Sequence, residues 1–264
     1  MRFLLSVLLT LPLSAASVDG AKLHWSSAGS GKPTLILVHG WTCDDSSWRE
    51  QVPVFSKRYR VITLDLPGHG QSGPPEDGKF SMTLFANAVE SVRQEAKVEK
   101  AVLIGHSMGT SVIRQYARQY PQHVMAMVFV DGLLKRAPGS AQPEPVNGPN
   151  GLKVRETRIR AMFTPQTPPE LQQHILKMML AAPEATASGA MQATFDPANW
   201  KDDVMTMPIL GVYADHSRSW NPEYMKMVFP SGEFLEIPGT GHFVMMEKPD
   251  EFNRRVIAFV DKLK

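Results

Sequence analysis

The sequence contains a single cysteine, Cys43. No disulfide can close within the chain, and no cysteine-clustered metal site can form. Runs of basic charge are missing too: the formal net charge is +2, and basic residues gather only in scattered pairs such as Lys57-Arg58 and Arg254-Arg255. Nucleic-acid binding, which needs a basic stripe, is therefore not expected. The N-terminal apolar run, Phe3 to Leu13, falls short of the roughly 20 residues that span a bilayer, and no lipobox-type cysteine follows it. There is no internal repeat. What remains is an ordinary globular composition, 43% hydrophobic and 20% charged over 264 residues, enough for one large domain with a full core.

The first twenty residues, "MRFLLSVLLTLPLSAASVDG", read differently from the rest. One early charge, Arg2, precedes the apolar run, and Ser14-Ala15-Ala16 fits the small-x-small preference of a signal-peptide cleavage site. Residues 1–16 are therefore expected to be a secretory signal and the protein to be exported, periplasmic or secreted, with no membrane span after cleavage. An uncleaved anchor is the alternative. The lack of disulfides suits a bacterial exported protein.

Beyond the leader, short apolar or β-branched runs alternate with helical patterns. Strands are expected at 34–40, 60–66, 101–105, 125–131, 208–214 and 233–239, and most are nearly continuous apolar runs, as in parallel strands buried on both faces. Helices are expected at 81–96, 111–120, 222–229 and 249–264, with Ser81 as an N-cap and Pro121 as a stop. This alternation predicts an α/β fold, a sheet with helices on both faces. Residues 132–203 interrupt it with a Pro/Gly-rich loop (136–151) and helical pieces near 153–163, 169–182 and 185–195, which read as a cap over the sheet. The core is thus expected in two parts, 17–131 and 204–264. Met178, Met179 and Met191 in the cap read first as core filler.

The stretch "AVLIGHSMGT" (101–110) carries the chemistry. It places G-x-S-x-G at a strand–turn–helix corner, where the glycines let backbone pass closely and Ser107 is held strained with its hydroxyl free above the sheet edge. The following helix aims its amide end at whatever binds there. A serine hydroxyl needs a base. Of eight histidines, His242 in "IPGTGHFVMMEKP" lies in a glycine-rich loop between the last strand and the last helix, where it can reach Ser107. His39 and His69 sit in backbone-shaping motifs, "VHGW" and "PGHGQSG", and His106 is expected to point away from the nucleophile.

With "LVHGW", "DLPGHGQS", "GHSMG" and "PGTGHFVMMEKP" in this order, the chain after the leader resembles the α/β-hydrolase superfamily, in its serine-nucleophile, esterase-like branch with a helical cap. The resemblance implies a mostly parallel eight-stranded sheet, a cap inserted after strand six and a serine–acid–histidine chain order. It also implies an oxyanion hole from the backbone N–H groups of Met108 and Trp41. The acid stays open. Many relatives carry it after strand seven, where Ser217 stands at the expected position and Asp215 comes two residues early. Other branches, haloalkane dehalogenases and pancreatic-type lipases among them, carry it after strand six, where Asp131 ends "VFVDG". Asp131 is favoured, with Asp215 as the alternative acid.

Two tempting motifs fail. "GHGQSG" (68–73) matches a dinucleotide fingerprint, but Pro74-Pro75 follow it instead of a helix. His39, His69 and Asp65 have no metal-site spacing. No cofactor and no metal are expected. In the loop "GWTCDDSSW", Asp44 and Asp45 read as caps for the helix near Trp48, and Cys43 reads as a space-filler. The expected activity is cleavage of a small or medium apolar carboxylic ester, or lactone, through an acyl-enzyme. Amide or carbon–carbon bond hydrolysis and cofactor-free perhydrolysis are enzymatic alternatives. A non-catalytic binding protein on the same fold is the rival from another class. The expected partner is a small-molecule ester; the oligomeric state stays open.

Overall fold

Five strands whose side chains are almost all buried can only sit inside a sheet covered on both faces, and this decides the architecture. A computed structural model describes residues 16–136, 141–215, 217, 219 and 221–263. The expected leader thus lies outside the described residues except for Ala16, which is buried and accepts the Leu23 N–H.

The strands are β1 (Ser17–Val18), β2 (Ala21–Lys22), β3 (Trp25–Ala28), β4 (Thr34–Val38), β5 (Arg60–Leu64), β6 (Ala101–His106), β7 (Val124–Val130), β8 (Ile209–Ala214) and β9 (Gly232–Ile237). The main sheet runs in the order β3-β5-β4-β6-β7-β8-β9 and is parallel except where β3 meets β5. It therefore has seven described strands rather than the eight that the family resemblance implies. The N-terminal segment instead forms a separate two-stranded sheet, β1 with β2, turned at Gly20 with φ +76°. None of β1–β3 was expected. β1 and β2 are two residues long, and β3, "WSSA", is a half-exposed edge strand with a polar centre, so neither shows an apolar signal.

Helices α1 (Val52–Phe55), α2 (Met82–Glu95), α3 (Met108–Gln119), α7 (Pro222–Val228), α8 (Val244–Glu247) and α9 (Pro249–Asp261) accompany the sheet. Ser81 caps α2 through the Leu84 N–H, as its position predicts. Between β7 and β8 lie α4 (Gly151–Arg160), α5 (Pro169–Ala181) and α6 (Glu184–Phe195). Their buried Ile159, Ile175, Met179, Ala187 and Ala190 join the same apolar cluster as the sheet. The insertion thus follows β7, fifth of the seven main-sheet strands along the chain. Among the described residues no helix is long and apolar enough to cross a membrane.

Buried arginines lock this insertion in place. Arg155 donates to the carbonyls of Met179, Leu180 and Ala182, which satisfies the C-terminal end of α5 where it is buried. Arg114, buried on α3, donates to Leu134 O at 2.7 Å and to Lys201 O at 3.3 Å. One side chain thus holds the outgoing and the returning leg of the insertion. At the N-terminal end of α6, the Trp41 indole donates to Ala187 O at 2.8 Å and Thr186 Oγ1 donates to Gly68 O at 3.0 Å.

On the far side of α3 a buried carboxylate ties the helices together. Glu90 of α2 accepts from Arg93, Gln94 and Tyr116. Burial opposes its ionisation, but the donors from Arg93, Tyr116 and Gln94 outweigh it and bring the carboxyl down from 4.5 to about 2. A carboxyl acidified by folding stabilises the fold fully above its ordinary value and loses that contribution as pH falls toward its folded value. Replacing Glu90 by Gln is expected to flatten the pH dependence of stability between 4.5 and about 2. Chemical denaturation of both proteins across that window checks it; parallel curves would contradict the assignment.

Candidate active site

The corner between β6 and α3 is built from very close backbone approaches. A Cβ at Gly105 would collide with the Gly109 carbonyl, and one at Gly109 with the Val38 carbonyl. Only glycine lets α3 start so near β4 and β6. Between them Ser107 takes φ 54°, ψ −116°, a conformation costly for any residue with a side chain, and its N–H bonds Val130 O at 2.9 Å. The strain holds the hydroxyl above the C-terminal rim of the sheet. Met108 is the first residue of α3, so its N–H is one of the first-turn amides without an intrahelical acceptor.

His242 meets this hydroxyl. Its Nε2 lies 2.8 Å from Ser107 Oγ, and its Nδ1 lies 2.6 Å from Asp131 Oδ2. With Nδ1–H donated to the carboxylate, Nε2 is left as the acceptor for the serine hydroxyl. Asp131 follows β7 at φ 46°. Its Oδ1 accepts the Ala214 N–H at 3.1 Å. Burial would raise its pKa, but the hydrogen bond and charge of His242, the Ser217 hydroxyl and the Ala214 N–H together hold it below the usual carboxylate range. Ser217, which stands where many relatives place their acid, thus supports the carboxylate that arrives from the neighbouring strand.

The two candidate acids are therefore separated by geometry. Asp131 contacts the imidazole. Asp215 Oδ2 accepts the Gly239 N–H at 3.0 Å, at the start of the loop that leads to His242.

Several side chains that position His242 escaped the sequence reading. His106 was expected to point elsewhere. Its ring instead packs on that of His242, with centroids 4.8 Å apart, and its Nε2 donates to the His242 carbonyl at 2.9 Å. Burial and the neighbouring His242 push its pKa down to about 3, so it stays neutral as the Nε2–H tautomer. Glu247 of α8 accepts the N–H groups of Gly241 and Phe243 on either side of His242, and also the Thr167 hydroxyl. The His242 N–H itself bonds Met162 O, just past α4. The sequence offers one faint sign of this, a glutamate shortly after the histidine at a helix that Pro249 ends.

The remaining polar candidates shape loops. His39 donates from Nδ1 to Gly40 O and accepts the Leu66 N–H at Nε2. His69 is buried beside it and bonds Pro67 O. Asp44 caps the short turn at 45–48 through the Ser46 N–H. Burial and Asp44 raise the pKa of the Cys43 thiol, which leaves it protonated. Asp45 is not a cap, contrary to expectation: it faces His24 and Asp65, and the ligand-type atoms of these three lie within 4.8 Å of one another. Both Asp65 oxygens accept backbone N–H groups, from Asp45 and Gln71, and Thr63 Oγ1 donates to Asp45. These bonds fasten the loops at 45 and 71 to the end of β5. The grouping of His39, His69 and Asp65 considered from the sequence is not the one the fold assembles.

A cavity of about 210 Å³ opens onto Ser107 and His242. Trp41, Met108, Leu133, Met162, Met191 and Phe195 supply its apolar wall. Met191 therefore faces the site, whereas Met178 and Met179 are buried in the core as expected.

Comparison with known proteins bears on the fold. The profile of the alpha/beta hydrolase fold family matches residues 33–174. The dihydrolipoyllysine-residue acetyltransferase component of the acetoin cleaving system of Cupriavidus necator is 36% identical over 115 residues, 44% of this chain and 30% of that protein. The pimeloyl-[acyl-carrier protein] methyl ester esterase of Edwardsiella ictaluri is 37% identical over 108 residues, 41% of this chain and 40% of that one. The chain thus matches less than half the length of these two relatives. Among solved structures, a thermophilic esterase from Thermogutta terrifontis superposes with a TM-score of 0.84 at 24% identity, covering 92% of this chain and 94% of the other. With a profile that spans more than half of the chain, this protein belongs to the α/β-hydrolase fold family.

Proposed function

We propose that the protein is a serine hydrolase that cleaves small carboxylic esters through an acyl-enzyme. The observation that carries this reading is the hydrogen-bonded series from Ser107 Oγ through both nitrogens of His242 to Asp131.

Ser107 Oγ attacks the ester carbonyl carbon while His242 Nε2 takes the hydroxyl proton. Asp131 keeps the imidazole in the tautomer that can accept it and stabilises the imidazolium. The carbonyl oxygen becomes an oxyanion between the N–H groups of Met108 and Trp41. His242 returns the proton to the leaving alkoxide, and the alcohol departs. Water, deprotonated by the same nitrogen, then splits the acyl-serine and releases the acid. The apolar wall and the small volume favour a short acid part: the cavity lies below the roughly 300–1,000 Å³ typical of drug-sized sites.

A fluorophosphonate probe is expected to label the wild-type protein at Ser107 and to leave Ser107→Ala unlabelled. An unlabelled wild type would favour the binding-protein reading instead. In a panel of p-nitrophenyl esters, acetate to butyrate are expected to be hydrolysed faster than decanoate. Asp131→Asn is expected to reduce kcat by about 10⁴-fold, as loss of the orienting acid does elsewhere, and Asp215→Asn by less than about 10-fold. The reverse order would return the acid role to Asp215.

A further inference from the structure

The wall of the catalytic cavity has one feature at odds with its apolar lining. Arg158 of α4 is the only cation among its described lining residues. Nη2 reaches Glu144 O at 3.3 Å, Nη1 lies 4.0 Å from Met191 Sδ, and the buried Nε has no hydrogen-bond partner. Other part-buried or buried arginines are engaged more fully. Arg93 and Arg118 meet carboxylates, Arg155 meets three carbonyls and Arg114 meets two. Glu144 is the anionic side chain that acts on Arg158, but from beyond ion-pair distance, and no described carboxylate pairs with it. Burial lowers its proton affinity, yet a guanidinium keeps its charge at neutral pH. A half-buried cation whose countercharge stays beyond ion-pair distance is a cost to the fold that an incoming anion can offset.

We propose that Arg158 binds a carboxylate carried by the substrate, so that the preferred esters are small molecules with an apolar body and an anionic group remote from the scissile bond. This rests on the hydrolase reading above. A planar guanidinium with unused donors matches a carboxylate in charge and in geometry. Arg158 also lines a second depression, with Lys153, Asn150 and Glu144. An anion held there keeps contact with water and does not bear the full cost of desolvation. The apolar lining between Arg158 and Ser107 then sets the length of the body. The anion can belong to the acid part, as in a dicarboxylic monoester, or to the alcohol part, as in the ester of a hydroxy acid.

Two matched pairs separate these sources, with acid release followed by pH-stat: monoethyl adipate against ethyl hexanoate, and 4-acetoxybutanoate against butyl acetate. The wild type is expected to favour the anionic member of one pair in kcat/KM, and that pair identifies the part that carries the charge. In Arg158→Gln the anionic-to-neutral ratio is expected to fall by about 10- to 100-fold, the scale of a lost charge-assisted hydrogen bond. The fall comes chiefly through KM, and Arg158→Lys retains part of the ratio. A purely structural Arg158 would lower both members of a pair together. No anionic preference in either pair, or a preference that survives Arg158→Gln, overturns the proposal while phosphonate labelling of Ser107 leaves the hydrolase reading intact. If Ser107 does not label and no ester is turned over, the hydrolase reading fails. Adipate binding then decides the anion site alone: a rise in Tm for the wild type and none for Arg158→Gln supports it, and no rise overturns it.

Discussion

Backbone packs against backbone where α3 leaves β6, and this corner has no room for a larger residue at either of its glycines. With the α-carbons of Gly105 and Gly109 pressed against main-chain carbonyls, the helix has one way to start, and Ser107 is forced into a conformation that it would not adopt in a free chain. The strain persists because the sheet on one side and the helix on the other over-determine it. The exposed hydroxyl and the free amide of Met108 are two results of the same crowding.

Everything that meets the serine then has to arrive by loop. Asp131 comes from the end of β7 and is steadied from β8 through Ala214. His242 comes from beyond β9 and is steadied by Glu247, His106 and the Met162 carbonyl. The imidazole is thus held from the sheet side and from the inserted helices together. A histidine on a long loop gains its fixed position from second-hand contacts, and these come from three separate stretches of the chain.

The sequence made the interior strands legible because burial on both faces leaves near-continuous apolar runs, such as "TLILV" and "VMAMVFV". The strand–turn–helix context made Ser107 legible, and loop position made His242 so. β3 escaped because an edge strand needs only one face buried. The acid stayed ambiguous for a topological reason. β7 and β8 are neighbours in the sheet, so aspartates that end either strand reach the same rim, and one-dimensional spacing does not say which carboxylate turns toward the imidazole. His106 was opaque because its partner lies far along the chain, and Glu247 because a side chain that folds back on its own preceding loop leaves no periodic signal. The facing of Arg158 and Met191 depends on how α4 and α6 lie over the sheet, which no periodicity reveals.

Arg114 grips Leu134 and Lys201, the two roots of the inserted helices, from the body of α3, and α3 is also the helix whose first turn follows the nucleophile. The roof of the cavity and the floor that carries the reactive oxygen therefore share one stiff rod.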